Sequence, residues 1–259
     1  MLGAPIRVTG VGRRIPATMG WWGNPLAELR WPGEFAQLLA SSVFRGEGVP
    51  RGDGGPVLVL PGFAAGDSST WLIRNWLRRI GHVAYASGIT CNVDCSDRVF
   101  GQLDRRLQRI AADAGRRVAI VGHSRGGQLA WALAARRPEL VSNVVALGSG
   151  LGDPFAISVP LAAAVATVRF YHRAVTDREA RQGCLAGACR CDYGRSLRSP
   201  LPATVRLTTI RATGDGLMRP EASAVPGAVN VDVPGSHIGL AVSAPAYMAV
   251  AQALATVAG

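Results

Sequence analysis

A mostly parallel α/β sheet of about six strands, with helices on both faces, is the fold the sequence predicts. Three observations lead there. Runs such as "PVLVL" (Pro56–Leu60) and the "VAIVG" of "RRVAIVG" (118–122) are apolar throughout and do not alternate, so both faces of those strands are covered. Helical patterns separate almost every pair of strands, which is how parallel strands are connected. The chain has 259 residues, 48% of them hydrophobic, enough to build one large core.

In chain order, residues 1–55 read as an N-terminal extension with one amphipathic helix, "PLAELRWPGEFAQLLASSVF". "PVLVL" is the first core strand. "STWLIRNWLRRIG" is a helix capped by Ser69 or Thr70 and stopped by Gly81. "HVAYAS" is a second strand. "SDRVFGQLDRRLQRIAADAG" is a long helix, with Ser96 as cap and Gly115 as stop. "RRVAIVG" is a third strand, followed by the helix "GGQLAWALAARRP", which Pro138 closes. "VSNVVALGS", "TVRLTTIRA" and "VNVDV" complete the strands, and "APAYMAVAQALATVA" is the last helix. No internal repeat is present. Residues 56–149 and 203–259 thus form the core. The stretch 150–202 between the fourth and fifth strands is too long for a plain loop and is expected to be a cap or lid.

The formal charge is +11, and all 28 basic residues are arginine. They are scattered through helices without exposed aromatics between them, which argues against nucleic-acid binding and allows weak attraction to anionic surfaces. No uncharged apolar run reaches eighteen residues, so no transmembrane helix is expected. The arginine pair Arg13–Arg14 precedes no sustained apolar segment, so no secretory or twin-arginine signal is read and a cytoplasmic location is expected.

The chemistry is concentrated in Gly122-His123-Ser124-Arg125-Gly126, a G-x-S-x-G pattern with a strand before it and a helix after it. Glycines on either side leave room for a strained turn, which lifts Ser124 to the amino end of the helix beginning at Arg125. The bland alternative is a serine that only caps the helix. On this motif in this context, the chain resembles the α/β-hydrolases, most of all the bacterial lipase and esterase branch, from about Pro56 to the C-terminus.

The resemblance implies a Ser–acid–His triad. A serine hydroxyl needs a base to take its proton, and the chain has four histidines. His82 opens a strand, His172 lies in the expected cap, and His123 beside the serine is expected to turn away as packing. His237, in the loop "VDVPGSHIGL" after the last strand, holds the position of the base in the resembled fold. The acid is expected at Asp215, in "RATGDGLMRP" after the fifth strand. Asp153, after the fourth strand, is the rival, because some lipases carry the acid there. Either aspartate can instead be a turn residue bonded to its own backbone. "VLPGFAAGD" resembles the oxyanion loop of the fold, with Pro61 where histidine often stands. The match makes the amides of Phe63 and Arg125 the oxyanion donors.

Five cysteines (Cys91, Cys95, Cys184, Cys189 and Cys191) show no zinc spacing, and no metal or organic cofactor is expected. Whether the three in the cap form disulfides stays open. The expected activity is hydrolysis of carboxylic esters through an acyl-enzyme, on a small-molecule ester or lipid-like substrate. An acyltransferase or thioesterase would use the same triad, and a non-catalytic binding protein is the alternative outside catalysis. Acyl-chain length and oligomeric state are open.

Overall fold

A computed structural model describes residues 7–8, 21–153, 156–176 and 191–255. The elements, in chain order, are β1 (Arg7–Val8), a 3-10 turn (Pro25–Arg30), α1 (Trp31–Ala40), α2 (Ser42–Arg45), β2 (Pro56–Leu60), α3 (Trp71–Arg79), β3 (Val83–Ala86), α4 (Ser96–Ala114), β4 (Val118–His123), α5 (Arg125–Arg136), β5 (Val141–Leu147), α6 (Val159–Thr176), α7 (Asp192–Arg198), β6 (Arg206–Ala212), β7 (Val229–Val233) and α8 (Ala244–Ala255). The sheet order is β1-β7-β6-β5-β4-β2-β3. The six core strands run parallel as expected, and the two-residue β1 adds an antiparallel edge that the sequence did not signal.

Alternation along each strand feeds two separate cores. Val57 and Val59 of β2, Val121 of β4 and Val145 of β5 face one cluster, which Leu38 of α1, Trp76 of α3 and Tyr247 of α8 complete. Leu58, Leu60, Ile120 and Val144 face the other, under α4, α5 and α7. Trp76 and Tyr247 are fully buried, with ring centroids 4.7 Å apart, and the Trp76 indole donates to the Val43 carbonyl at 2.8 Å. A tilted aromatic pair of this kind contributes about 0.5–1.5 kcal/mol beyond its buried area.

The single helix expected over Pro25–Phe44 is broken in two places. Pro32 sits in the first turn of α1, where a missing amide costs nothing. Ser41 is extended at φ −80°, ψ 154°, and its hydroxyl caps α2 by accepting from Phe44 N at 3.1 Å. The cap expected of Ser96 falls to Cys95 by position, because the Ser96 hydroxyl is engaged by Arg125. Gly115 ends α4 in the left-handed conformation, φ 59°, as its sequence position suggested.

The insertion after β5 contains α6 and α7. Exposed Phe170 and Tyr171 lie on α6. In contrast, α7 belongs to the helical layer: Tyr193 is buried beside Phe100, its amide donates to Asp97, and Arg136 pairs with Asp192. Cys184 and Cys189 lie outside the described residues, while Cys91 is exposed and Cys95 and Cys191 are buried.

Strand order reverses between β2 and β4: β3 lies on one side of β2, and β4, next in the chain, on the other. Loops leaving the carboxyl ends of β2 and β4 therefore diverge and open a crevice, the place where α/β sheets form their sites. A cavity of about 310 Å³ opens among Arg51, His82, Arg116 and Arg117, beside the strand starts Pro56 and Val57. It lies at the opposite ends of the strands from that crevice.

Candidate active site

Ser124 closes β4 and opens α5. Its backbone sits at φ 52°, ψ −119°, a region costly for a residue with a side chain, by about 1–3 kcal/mol. The neighbouring glycines are required by close approach. A Cβ on Gly122 would lie 2.5 Å from the Gly126 backbone, and one on Gly126 would lie 2.5 Å from the Leu60 carbonyl oxygen. Hydrogen bonds hold the turn: Ser124 N donates to Leu147 O at 2.7 Å, and Gly127 N to Ser124 O at 3.0 Å. The serine is half-buried at the amino end of α5, where unpaired amides and the helix dipole favour negative charge.

Asp215 and His237 meet in the interior. Nδ1 of His237 lies 2.6 Å from Oδ2 of Asp215, and their side chains are 5% and 3% exposed. The other carboxylate oxygen accepts from the amides of Leu217 (2.9 Å) and Met218 (2.7 Å). Those two bonds aim the carboxylate, and each hydrogen bond to a charged group is worth about 1.5–3 kcal/mol. A carboxylate can only accept here, so Nδ1 carries the proton and Nε2 is the basic nitrogen. Burial pushes the His237 pKa down. The Asp215 hydrogen bond and the charges of Asp215 and Glu28 outweigh it, leaving the group above the ordinary histidine value. Asp153 is in the turn after β5, where its amide donates to Ala222 O at 3.1 Å; the carboxylate against His237 is that of Asp215.

The loop after β2 is stitched to residues 89–96. Asn92 Nδ2 donates to Pro61 O at 2.9 Å, Ala64 N to Asn92 O at 3.2 Å, and Asn92 N to Ala65 O at 2.8 Å. Ala64, next to Phe63, is held at φ 57°, and with Ser124 it is one of two non-glycine residues with positive φ among the described residues. The Arg125 side chain braces the same segment from the elbow, donating to the carbonyls of Asn92 and Asp94 at 2.8 Å each and to Ser96 Oγ at 3.1 Å. Phe63 and Arg125 therefore stand on two loops that Asn92 and its neighbours join.

The ring of His123 lies against His237. It stacks at a tilt against the His237 ring, and its Nε2 lies 2.9 Å from the His237 carbonyl oxygen. Enclosure of the ring, then repulsion from His237, lowers its pKa to about 4. His82 is buried just before the start of β3, and the side chain of His172 lies outside the described residues.

The sequence reading missed two glutamates of the N-terminal segment. Glu28, 6% exposed, accepts from the amides of Gly216 (3.0 Å), His237 (3.2 Å) and Ile238 (2.8 Å). Glu34 accepts from the amide (2.9 Å) and hydroxyl (2.8 Å) of Ser236. Their only trace in the sequence is an acidic pair on a Trp- and Pro-containing stretch, which reads as a solvated helix face. Among the described residues, no group of three or more His, Cys, Asp or Glu is placed to hold a metal ion. No described helix is long and apolar enough to cross a membrane.

Sheet, switch point and elbow together define the α/β-hydrolase fold. A sequence profile described as the alpha/beta hydrolase fold matches residues 110–172, from the end of α4 through the elbow into α6. No curated protein matches the chain. Among solved structures, the mature form of Bacillus licheniformis lipase BlEst2 superposes with a TM-score of 0.55 at 14% identity, covering 78% of this chain and 94% of that one. Paleococcus ferrophilus monoacylglycerol lipase gives a TM-score of 0.55 at 15% identity, covering 81% and 97%. A structure from work on the metagenome-derived lipolytic enzymes LipS and LipT gives 0.56 at 14%, covering 81% and 95%. At these identities the likeness is one of fold.

Proposed function

We propose that the protein is a serine hydrolase that cleaves carboxylic esters through an acyl-enzyme. The observation that carries this reading is the buried 2.6 Å contact of Asp215 with His237, in a fold that also holds Ser124 in a strained elbow. Nε2 of His237 takes the Ser124 proton as Oγ bonds to the acyl carbon. The oxyanion rests on the amides of Phe63 and Arg125. The imidazolium, paired with Asp215, returns the proton to the departing alcohol as the carbon–oxygen bond breaks. Water then repeats the sequence and frees the acid. Lipolytic enzymes among the similar structures, and the exposed Phe170 and Tyr171 on α6, support an apolar acyl chain as substrate and residues 150–202 as a cap over the site.

The test is a panel of p-nitrophenyl esters of graded acyl length, run beside labelling by a fluorophosphonate probe. Turnover of at least one ester, with probe incorporated at Ser124, is the expected result. A folded protein that neither turns over an ester nor takes the probe at Ser124 defeats the reading.

A further inference from the structure

We propose that Glu28 is a positioning residue of the site, a carboxylate supplied by the N-terminal segment that locks the acid-bearing and histidine-bearing loops to each other. The proposal rests on the triad reading above.

The geometry is that of a clamp. Gly216 follows Asp215 directly, and its amide donates to Oε1 of Glu28 at 3.0 Å. The same oxygen accepts from the His237 amide at 3.2 Å, while Oε2 accepts from the Ile238 amide at 2.8 Å. One buried carboxylate thus touches the residue after the acid, the histidine, and the residue after the histidine. The loops also meet directly, Thr213 N donating to Val233 O at 2.9 Å and Gly214 N to Gly235 O at 3.1 Å, and the carboxylate extends that joint to the amides of Gly216, His237 and Ile238. Neighbouring contacts support it from both sides. Asn24 N donates to Gly216 O at 3.1 Å, Arg30 Nη2 donates to Gly214 O at 3.3 Å, and Glu34 holds Ser236.

The location has an electrostatic consequence. The ionisable groups around His237 are Asp215 at Nδ1, Glu28 at its amide, and His123 at its carbonyl, with Glu34 one residue away on Ser236. Asp215 and Glu28 both favour the imidazolium that forms as the serine attacks, and the charge on His237 in turn helps to keep His123 neutral. Glu28 therefore acts on the reaction through His237 and without touching substrate. A purely structural carboxylate would leave the titration of His237 alone.

Glu28→Gln and Glu28→Asp separate these roles. The glutamine keeps the shape and one acceptor oxygen but loses the charge and sets its amide group against a backbone N–H. The aspartate keeps the charge with a shorter reach. For Glu28→Gln, kcat is expected to fall at least about fivefold with KM within about twofold, and the acid limb of kcat/KM to move to lower pH. For Glu28→Asp, kcat falls at least about threefold while the limb stays where it was. Nitrogen-15 NMR titration of the His237 ring in the full chain, parent and variants, gives the same shift without needing turnover. An unmoved His237 titration in Glu28→Gln, or parental kcat in Glu28→Asp, overturns the proposal. If the glutamine variant does not fold, the aspartate variant decides alone. A parent protein that hydrolyses no ester and leaves Ser124 unlabelled defeats the triad reading, while the NMR titration still reports on Glu28.

Discussion

The imidazoles of His123 and His237 lie with centroids 5.1 Å apart and planes at 51°, and Nε2 of His123 meets the backbone carbonyl of His237 at 2.9 Å. A carbonyl oxygen only accepts, so His123 is the Nε2–H tautomer and is neutral at working pH, its pKa being about 4. The elbow residue before the serine therefore holds the backbone of His237. His123→Phe keeps a ring of similar bulk and deletes the donor. A fall in kcat of about three- to tenfold is expected, with little change in KM. Steady-state kinetics on a short ester decide it, and parental kcat would show that the ring matters only as packing.

The pH profile follows from His237. In the proposed mechanism His237 works when neutral, and its pKa is raised above the ordinary 6.5. Activity therefore climbs as pH rises through that raised value, so the acid limb of kcat/KM should have its midpoint above pH 6.5. A midpoint at or below the ordinary value would show that the stabilisation of the imidazolium by Asp215 and Glu28 does not act in the free enzyme.

Ser124→Ala removes the proposed nucleophile and little else. The elbow keeps its glycines and its bond to Leu147 O, so the variant should fold. Ester hydrolysis is expected to fall on the order of a thousandfold or more. Activity within tenfold of the parent, measured on material free of other esterases, would sink the assignment.

Asp215 and Asp153 are separated by their contacts. Asp215→Asn should cost at least about a hundredfold at neutral pH, because the amide no longer holds the protonated Nδ1 tautomer against a charge. Asp153→Asn should cost less than about tenfold, as for a turn residue. The reverse order in purified, folded variants would move the acid to the turn after β5.

The cap proposal predicts a chain-length effect. Phe170 and Tyr171 are 77% and 69% exposed on α6. Replacing both with serine should leave turnover of an acetate ester within about twofold and lower kcat/KM for a long-chain ester severalfold. Equal effects on short and long esters would count against a cap at this helix.

Most of the sheet was legible because its strands are apolar runs punctuated by glycine, proline and helical periodicity, as at Pro56–Leu60 and Val118–His123. Ser124 was legible for the same local reason: a strained turn needs small neighbours, and Gly122 and Gly126 are adjacent in the chain. Asp215 and His237 were reached by resemblance, through their places after β6 and β7. Glu28, Glu34 and the ring contact of His123 were not legible. Their partners lie far away in sequence, and a glutamate on a helical pattern carries no local mark of burial. The break at Ser41 was hidden because a serine between apolar residues reads equally as helix interior or cap. The place of α7 in the helical layer depends on Tyr193 meeting Phe100 across 93 residues of chain, a contact no window of sequence contains.

The bonds made by Glu28 span 188 residues to Gly216 and 210 to Ile238. Glu28 therefore leaves the ribosome well before the partners it bonds. Contacts so remote are formed late, because the entropy of closing the loop between them must be met first. A nascent chain still tethered to the ribosome and stopped before Ile238 contains Ser124 but cannot close the bond from Ile238 to Glu28. Such a chain should ignore a fluorophosphonate that labels the released protein, so that reactivity of Ser124 serves as a timer for the completion of folding.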